Sequence, residues 1–163
     1  MAFKNFFEQG IDFKTFLAQG TEEEALAVIK AADALTSQLT QPLAMSIASL
    51  EQDANILIAG ETWCPDCQLN VTAISAMAEL QPKISISIVS RDFAQEKLLD
   101  KLDITEVKIP LVVVLDQYYQ PKGLFIEQPT KVAESQDEAL KAAYDNAELL
   151  THTIEEVLDI IAR

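Results

Sequence analysis

Cys64 and Cys67 are the only two cysteines of the 163-residue chain, and they stand three positions apart in Glu61-Thr62-Trp63-Cys64-Pro65-Asp66-Cys67. A structural bridge closing so short a loop would constrain the unfolded chain very little. A zinc site within one chain needs more ligands than are at hand, because the single histidine, His152, lies far along the sequence inside a helical pattern. Two thiols separated by two residues suit thiol–disulfide exchange, in which one attacks a substrate disulfide and the other closes on it to release the product. The spacing leaves two other readings open. One is an interaction module without redox activity, and the other is a dimer in which Cys64 and Cys67 of two chains supply four ligands to a metal or iron–sulfur group.

The flanking residues say how these thiols are held. Asn55-Ile56-Leu57-Ile58-Ala59 is a short apolar run of buried-strand type, and from Pro65 onward Leu69, Ala73, Ala76, Met77 and Leu80 recur at helical spacing up to Pro82. The pair therefore sits at a strand-to-helix junction, where unpaired backbone N–H groups and the helix dipole favour thiolate over thiol at Cys64. Pro65 fits the first turn, where its missing N–H costs nothing. Asp66 suits the dipole, yet its charge beside the sulfurs opposes acidification of Cys64.

The string Trp63-Cys64-Pro65-Asp66-Cys67, entered from a strand and continued by a helix, resembles the active site of thioredoxin-like proteins. A second matching element is Val107-Lys108-Ile109-Pro110 ahead of the apolar run Leu111–Leu115. The resemblance implies a cis Ile109-Pro110 bond beside the cysteines, with the Ile109 backbone pairing with substrate. It makes Cys64 the attacking thiol, the more exposed of the two, and Cys67 the buried resolving one. Trp63, Pro65 and Asp66 join Ile109 and Pro110 as the expected substrate-binding surface; for Trp63, shielding of the thiols competes with plain core packing. The sequence also departs from the family. Thioredoxins place a buried carboxylate six residues before the first cysteine, where this chain has Ile58, so Glu61 and Asp66 become the candidate proton acceptors. No proline follows Cys67 in the active-site helix.

Ile84-Ser85-Ile86-Ser87-Ile88-Val89 alternates as a strand does, Phe93–Leu102 reads as a helix, and Gly123–Ile126 forms a hairpin with Leu111–Leu115 across the turn Asp116–Pro121. The order from Asn55 is β-α-β-α-β-β-α. That order fits an α/β fold, and the resemblance implies the thioredoxin-like one, a mixed four-stranded sheet flanked by helices. Residues 1–52 are expected to form an all-helical extension and residues 53–163 the thioredoxin-like domain with a long C-terminal helix. That helix is read as opening with a capping box, Ser135-x-x-Glu138, and as prone to break near Asp145-Asn146. Its apolar face, from Leu140 to Ile161, needs cover from the N-terminal segment or from a second copy.

Phe3-Lys4-Asn5-Phe6-Phe7-Glu8-Gln9-Gly10 is echoed by Phe13-Lys14-Thr15-Phe16-Leu17-Ala18-Gln19-Gly20, two short helical turns each read as stopped by a C-terminal glycine. Thr21-x-x-Glu24 is a capping box for a helix carrying Val28, Ala32, Leu35 and Leu39, and Pro42 starts another. No alternating strand pattern precedes Asn55. A helical N-terminus of this kind resembles one subgroup of thioredoxin-like proteins, as do Ser90-Arg91-Asp92 and Glu127-Gln128-Pro129.

With 12 Lys+Arg against 26 Asp+Glu the net charge is −14, which repels phosphate backbones and anionic membrane surfaces. The start carries no visible secretory signal, and no apolar run approaches a membrane span. A soluble cytoplasmic thiol–disulfide oxidoreductase is the reading, an enzyme reducing disulfides without metal or other cofactor beyond its own redox-active disulfide. Its partners would be disulfide-bearing proteins or small molecules and an electron-donating reductase or thiol, with no nucleic acid or membrane. The chain would act as a monomer or homodimer.

Overall fold

The apolar run before the cysteines forms the strand Ala54–Ala59 (β1) in a computed structural model that describes residues 1–163. Four helices precede it: Ala2–Gln9 (α1), Phe13–Ala18 (α2), Glu22–Gln38 (α3) and Gln41–Ala48 (α4). After β1 come Pro65–Leu80 (α5), Ile84–Val89 (β2), Arg91–Lys97 (α6), Leu99–Leu102 (α7), Leu111–Leu115 (β3), Pro121–Ile126 (β4), Thr130–Ala133 (α8), Glu138–Asp145 (α9) and Leu150–Ile161 (α10). The strands form one mixed sheet in the order β2-β1-β3-β4, with β1 parallel to β2 and antiparallel to β3. β3 is buried at every position, which its unbroken Leu-Val-Val-Val-Leu sequence requires of a central strand covered on both faces.

Helices complete the core. α5 packs on β2 and is covered by α3, α4 and α10, while α10 also meets β3, β4 and α3. The apolar face of the C-terminal segment is thus buried inside the chain: Leu150, Ile154, Val157, Ile160 and Ile161 join the same cluster as Leu35 of α3 and Ile47 of α4. Buried Gln81 fastens α4 to the end of α5, donating from Nε2 to the carbonyls of Ile47 and Ala48, each at 3.0 Å. Both carbonyls lie in the last turn of a helix; that of Ile47 also accepts from the Leu50 N–H at 3.3 Å, while that of Ala48 depends on Gln81.

Several local expectations change. The C-terminal segment is two helices rather than one long one, dividing after Asp145 where the sequence marked the weak point, with Ala147 left-handed at φ 61° between them. α9 is capped by Asp137, which accepts from Ala139 N–H at 2.9 Å, so the Ser135-x-x-Glu138 box does not form. The helix read at Phe93–Leu102 starts earlier, at Arg91, and divides at Leu98. The Thr21–Glu24 capping box is present on both sides.

Both helices of the repeat end at their glycines, as read, but neither glycine makes a left-handed cap. Gly10 has φ −79°, so no left-handed cap is needed there. Its role is close approach: a Cβ at Gly10 would lie 1.9 Å from Ser87 Oγ and 2.9 Å from the Ile88 carbonyl oxygen. That proximity lets Ile11 form a two-bond antiparallel bridge to Ile88, at 2.9 and 2.8 Å, covering part of the β2 edge without a full strand. Gly10→Ala is expected to push α1 off β2 and lower stability by about 1–3 kcal/mol. Denaturant unfolding checks this, and an unchanged midpoint would show that α1 is not seated by this contact.

Candidate active site

Cys64 is the N-cap of α5, and Pro65 opens the helix as its sequence demands. The Cys64 Sγ accepts from the Cys67 N–H at 3.4 Å and, as a thiol, donates to the Ile109 carbonyl at 3.7 Å. The two cysteines are free thiols rather than a disulfide. Cys67 is fully buried against Gly60, where an added Cβ would come within 3.3 Å of its Sγ, while Cys64 keeps only 6% of its surface exposed. Cys64 is the more exposed of the two, as the resemblance implies, although both are buried.

Electrostatics separates the pair. A hydrogen bond from the Cys67 thiol lowers the Cys64 pKa to about 7, with the Cys67 backbone N–H helping and burial and the Asp66 charge opposing. The same shared hydrogen bond, then burial and the Cys64 charge, push the Cys67 thiol well above the ordinary range. One sulfur is therefore a nucleophile near neutral pH and the other is a proton holder, an asymmetry that exchange chemistry uses.

Around the thiols the structure places the remaining residues of the reading. The Ile109-Pro110 peptide bond is cis, and both residues are buried beside Cys64. Pro110 also accepts from the Glu127 N–H at 2.9 Å, tying the loop after β4 to the same corner. Pro65 is exposed and Asp66 half-buried at the head of α5. Trp63 is 56% exposed, which removes the core-packing alternative. α5 runs without interruption from Pro65 to Leu80, as the missing proline implies.

Each of the two candidate proton acceptors has one oxygen engaged and one without a partner in the chain. Glu61 Oε2 accepts from the Arg91 N–H at 2.8 Å and so caps the start of α6. Asp66 Oδ1 accepts from the Tyr144 hydroxyl at 2.5 Å and from Gln128 Nε2 at 3.3 Å. Burial, and then the bond to Asp66, push the Tyr144 hydroxyl far above its ordinary range, so it acts as a fixed donor rather than a titrating group. Ile58, at the family's carboxylate position, is fully buried.

Sequence reasoning missed the network behind Asp66. Asn70, fully buried on α5, turns its Nδ2 toward the Asp66 carbonyl at 2.8 Å, the Tyr144 oxygen at 2.9 Å and the Glu127 carbonyl at 3.0 Å. Its Oδ1 accepts from the buried Thr153 hydroxyl at 2.6 Å. A polar residue one turn after Cys67, amid an otherwise apolar helix face, was the available signal. Glu127 stands here in a left-handed conformation, φ 68°, with its carbonyl and N–H both bonded into the site.

A family model described as thioredoxin matches residues 10–157. The chain belongs to this thioredoxin family. The match extends through α2, α3 and α4, so the helical N-terminal segment lies largely within it. A crystal structure of a protein of unknown function from Pseudomonas aeruginosa is similar at 37% identity and TM-score 0.93, over 98% of this chain and 96% of that one. The crystal structure of an HIV epitope scaffold is similar at 35% identity and TM-score 0.94, again over 98% and 96% of the two chains. No curated protein matches the chain. The family, the sheet and the Cys64/Cys67 pair agree with one another, and no helix is long and apolar enough to cross a membrane.

Proposed function

We propose that this protein is a cytoplasmic thiol–disulfide oxidoreductase that reduces protein disulfides through a Cys64/Cys67 cycle. The observation carrying the reading is the paired placement of the thiols: Cys64 at a helix N-cap with a pKa lowered to about 7, and buried Cys67 held protonated beside it. In the first step the Cys64 thiolate attacks one substrate sulfur. A bond forms from Cys64 to that sulfur, the substrate S–S bond breaks, and the other substrate sulfur leaves as a thiolate that takes a proton. Cys67 then loses its proton and attacks Cys64 Sγ, releasing the second substrate thiol. Two electrons have passed to the substrate and the protein is left with a Cys64–Cys67 disulfide, which an external dithiol or reductase must reduce.

The Ile109 carbonyl, 3.7 Å from Cys64 Sγ, is the backbone group that a substrate strand would meet at the sulfur. Cys67 passes its proton through water, and Glu61 Oε1 and Asp66 Oδ2, which accept no hydrogen bond within the chain, remain the candidate acceptors. Full burial of Cys67 disfavours a metal or iron–sulfur group shared between two chains, which would need both thiols presented outward.

The test is reduction of a protein disulfide with a thiol regenerant, wild type against Cys64→Ser. The wild-type rate of attack is expected to climb with pH and level off above about 7, because thiolate is the reactive form and is protonated below its pKa. One unit lower, the rate should fall to about a tenth. Equal activity in Cys64→Ser, or no activity in wild type, would remove the proposal.

A further inference from the structure

The ten-residue N-terminal repeat has no part in the thiol chemistry, yet its equivalent residues converge. Gln9 and Gln19, the seventh residues of the two copies, line one groove of about 540 Å³. The glycines after them make this possible. Gly10 allows α1 to close on Ser87 and Ile88, and a Cβ at Gly20 would lie 3.1 Å from the Thr62 Cβ, in the turn leading to Cys64. Glu24 joins the two parts, accepting from Thr21 N–H at 3.0 Å and from the Thr62 hydroxyl at 2.9 Å.

The far wall of the groove is the active-site turn Gly60–Trp63, with half-exposed Trp63 at its edge. Ile11, Phe16 and Phe93 contribute apolar surface. A volume of this size lies inside the range of about 300–1,000 Å³ for ligand sites. The charged lining residues are Glu24 and Glu61, and no lysine or arginine lines the groove. One oxygen of each carboxylate, Glu24 Oε2 and Glu61 Oε1, has no protein partner.

Cys64 Sγ lies outside this groove, turned toward Ile109. A small disulfide can meet the sulfur without entering the groove. A chain that crosses Trp63, the residue before Cys64, reaches both. We infer that the groove receives an extended peptide segment flanking the substrate's disulfide and carrying a lysine or arginine side chain. The Gln9 and Gln19 amides can pair with its backbone, the carboxylates meet its cation, and Trp63 offers the cation an aromatic face. This inference rests on the disulfide-reductase reading and narrows its substrate class to protein segments of basic character.

Two disulfide-bridged peptides test it, identical except for three lysines or three glutamates on one side of the cystine. The reduced wild type is expected to react about ten-fold faster with the lysine peptide at low salt. Gln9→Lys/Gln19→Lys, on exposed positions, should abolish that ratio. Gln117→Lys/Gln120→Lys adds the same charge at the opposite end of the sheet and should preserve most of it. Equal effects of the two double variants would reduce the preference to bulk charge and overturn the groove. A second readout does not depend on redox activity: Trp63 is the only tryptophan, and its emission should change saturably on titrating a lysine peptide with serines in place of the cysteines. No saturable change overturns the inference even if disulfides are reduced. A saturable change without reduction would keep the groove and remove the reductase.

Discussion

Cys67→Ser is expected to turn a catalyst into a trap. The variant retains Cys64 at the N-cap of α5, still next to the Cys67-position N–H, and the new hydroxyl can still donate to it. It should attack a disulfide and then stop, since no second thiol can open the mixed disulfide. A covalent adduct with substrate should accumulate, visible by mass and dispersed by an added reductant, while turnover falls by about a thousand-fold or more. Cys67→Ala supplies a sharper comparison. The leading cause of the lowered Cys64 pKa is the hydrogen bond from the Cys67 thiol, which alanine removes and serine does not. The pH at which the adduct forms at half its maximal rate should therefore shift upward in Cys67→Ala relative to Cys67→Ser. Coincident profiles would mean that the helix end alone sets the acidity of Cys64. Undiminished turnover in either variant would remove Cys67 from the cycle.

Asn70→Ala is expected to have the largest effect on stability of any single polar substitution near the site. Asn70 is fully buried and connects Asp66, Tyr144 and Thr153 through its side chain, and holds the Glu127 carbonyl as well. Alanine strands the Thr153 hydroxyl and the Glu127 carbonyl together. Each unsatisfied buried group costs about 1–3 kcal/mol, and losing the network costs more than one pair alone. We expect a loss of about 3 kcal/mol, or roughly 6–12 °C in Tm for a chain of this size. The readout should extend to reactivity. Glu127 keeps its left-handed φ between the Asn70 bond and the bond to Pro110, so loosening it relaxes the loop beside Cys64. Thermal unfolding, with the rate of Cys64 alkylation measured beside it, checks both. A Tm within a degree of wild type would show that water replaces the amide and that the network carries little energy.

The chemistry of Cys64 was legible from the linear sequence because everything that sets it is local. A strand, a cysteine, a proline and a helix follow one another without interruption, and an N-cap is defined by the residues on either side of it. The order of the sheet elements was legible for a similar reason, since each strand and helix declares its own period. Ile109-Pro110 lies 45 residues after Cys64, and its place beside the thiol came only from the family resemblance.

What the amino-acid sequence could not supply was the pairing of side chains from distant segments. Asp66 meets Tyr144 across 78 positions and Asn70 meets Thr153 across 83, and no periodicity encodes such meetings. The same limit hid the work of the repeat. Its glycines looked like helix stops, but Gly10 has an ordinary φ and is small because Ser87 and Ile88 occupy the space beyond it. The partners of Glu61 and Asp66, Arg91 and Tyr144, also come from distant segments. By itself, then, the sequence determined which thiol stands at the head of the helix and on what scaffold, because backbone dipoles and hydrophobic period are short-range properties. The tertiary structure decided which oxygens of Glu61 and Asp66 are engaged, which groove lies beside Trp63 and what stiffens the corner at Cys64, because those depend on contacts that exist only once the chain has closed on itself.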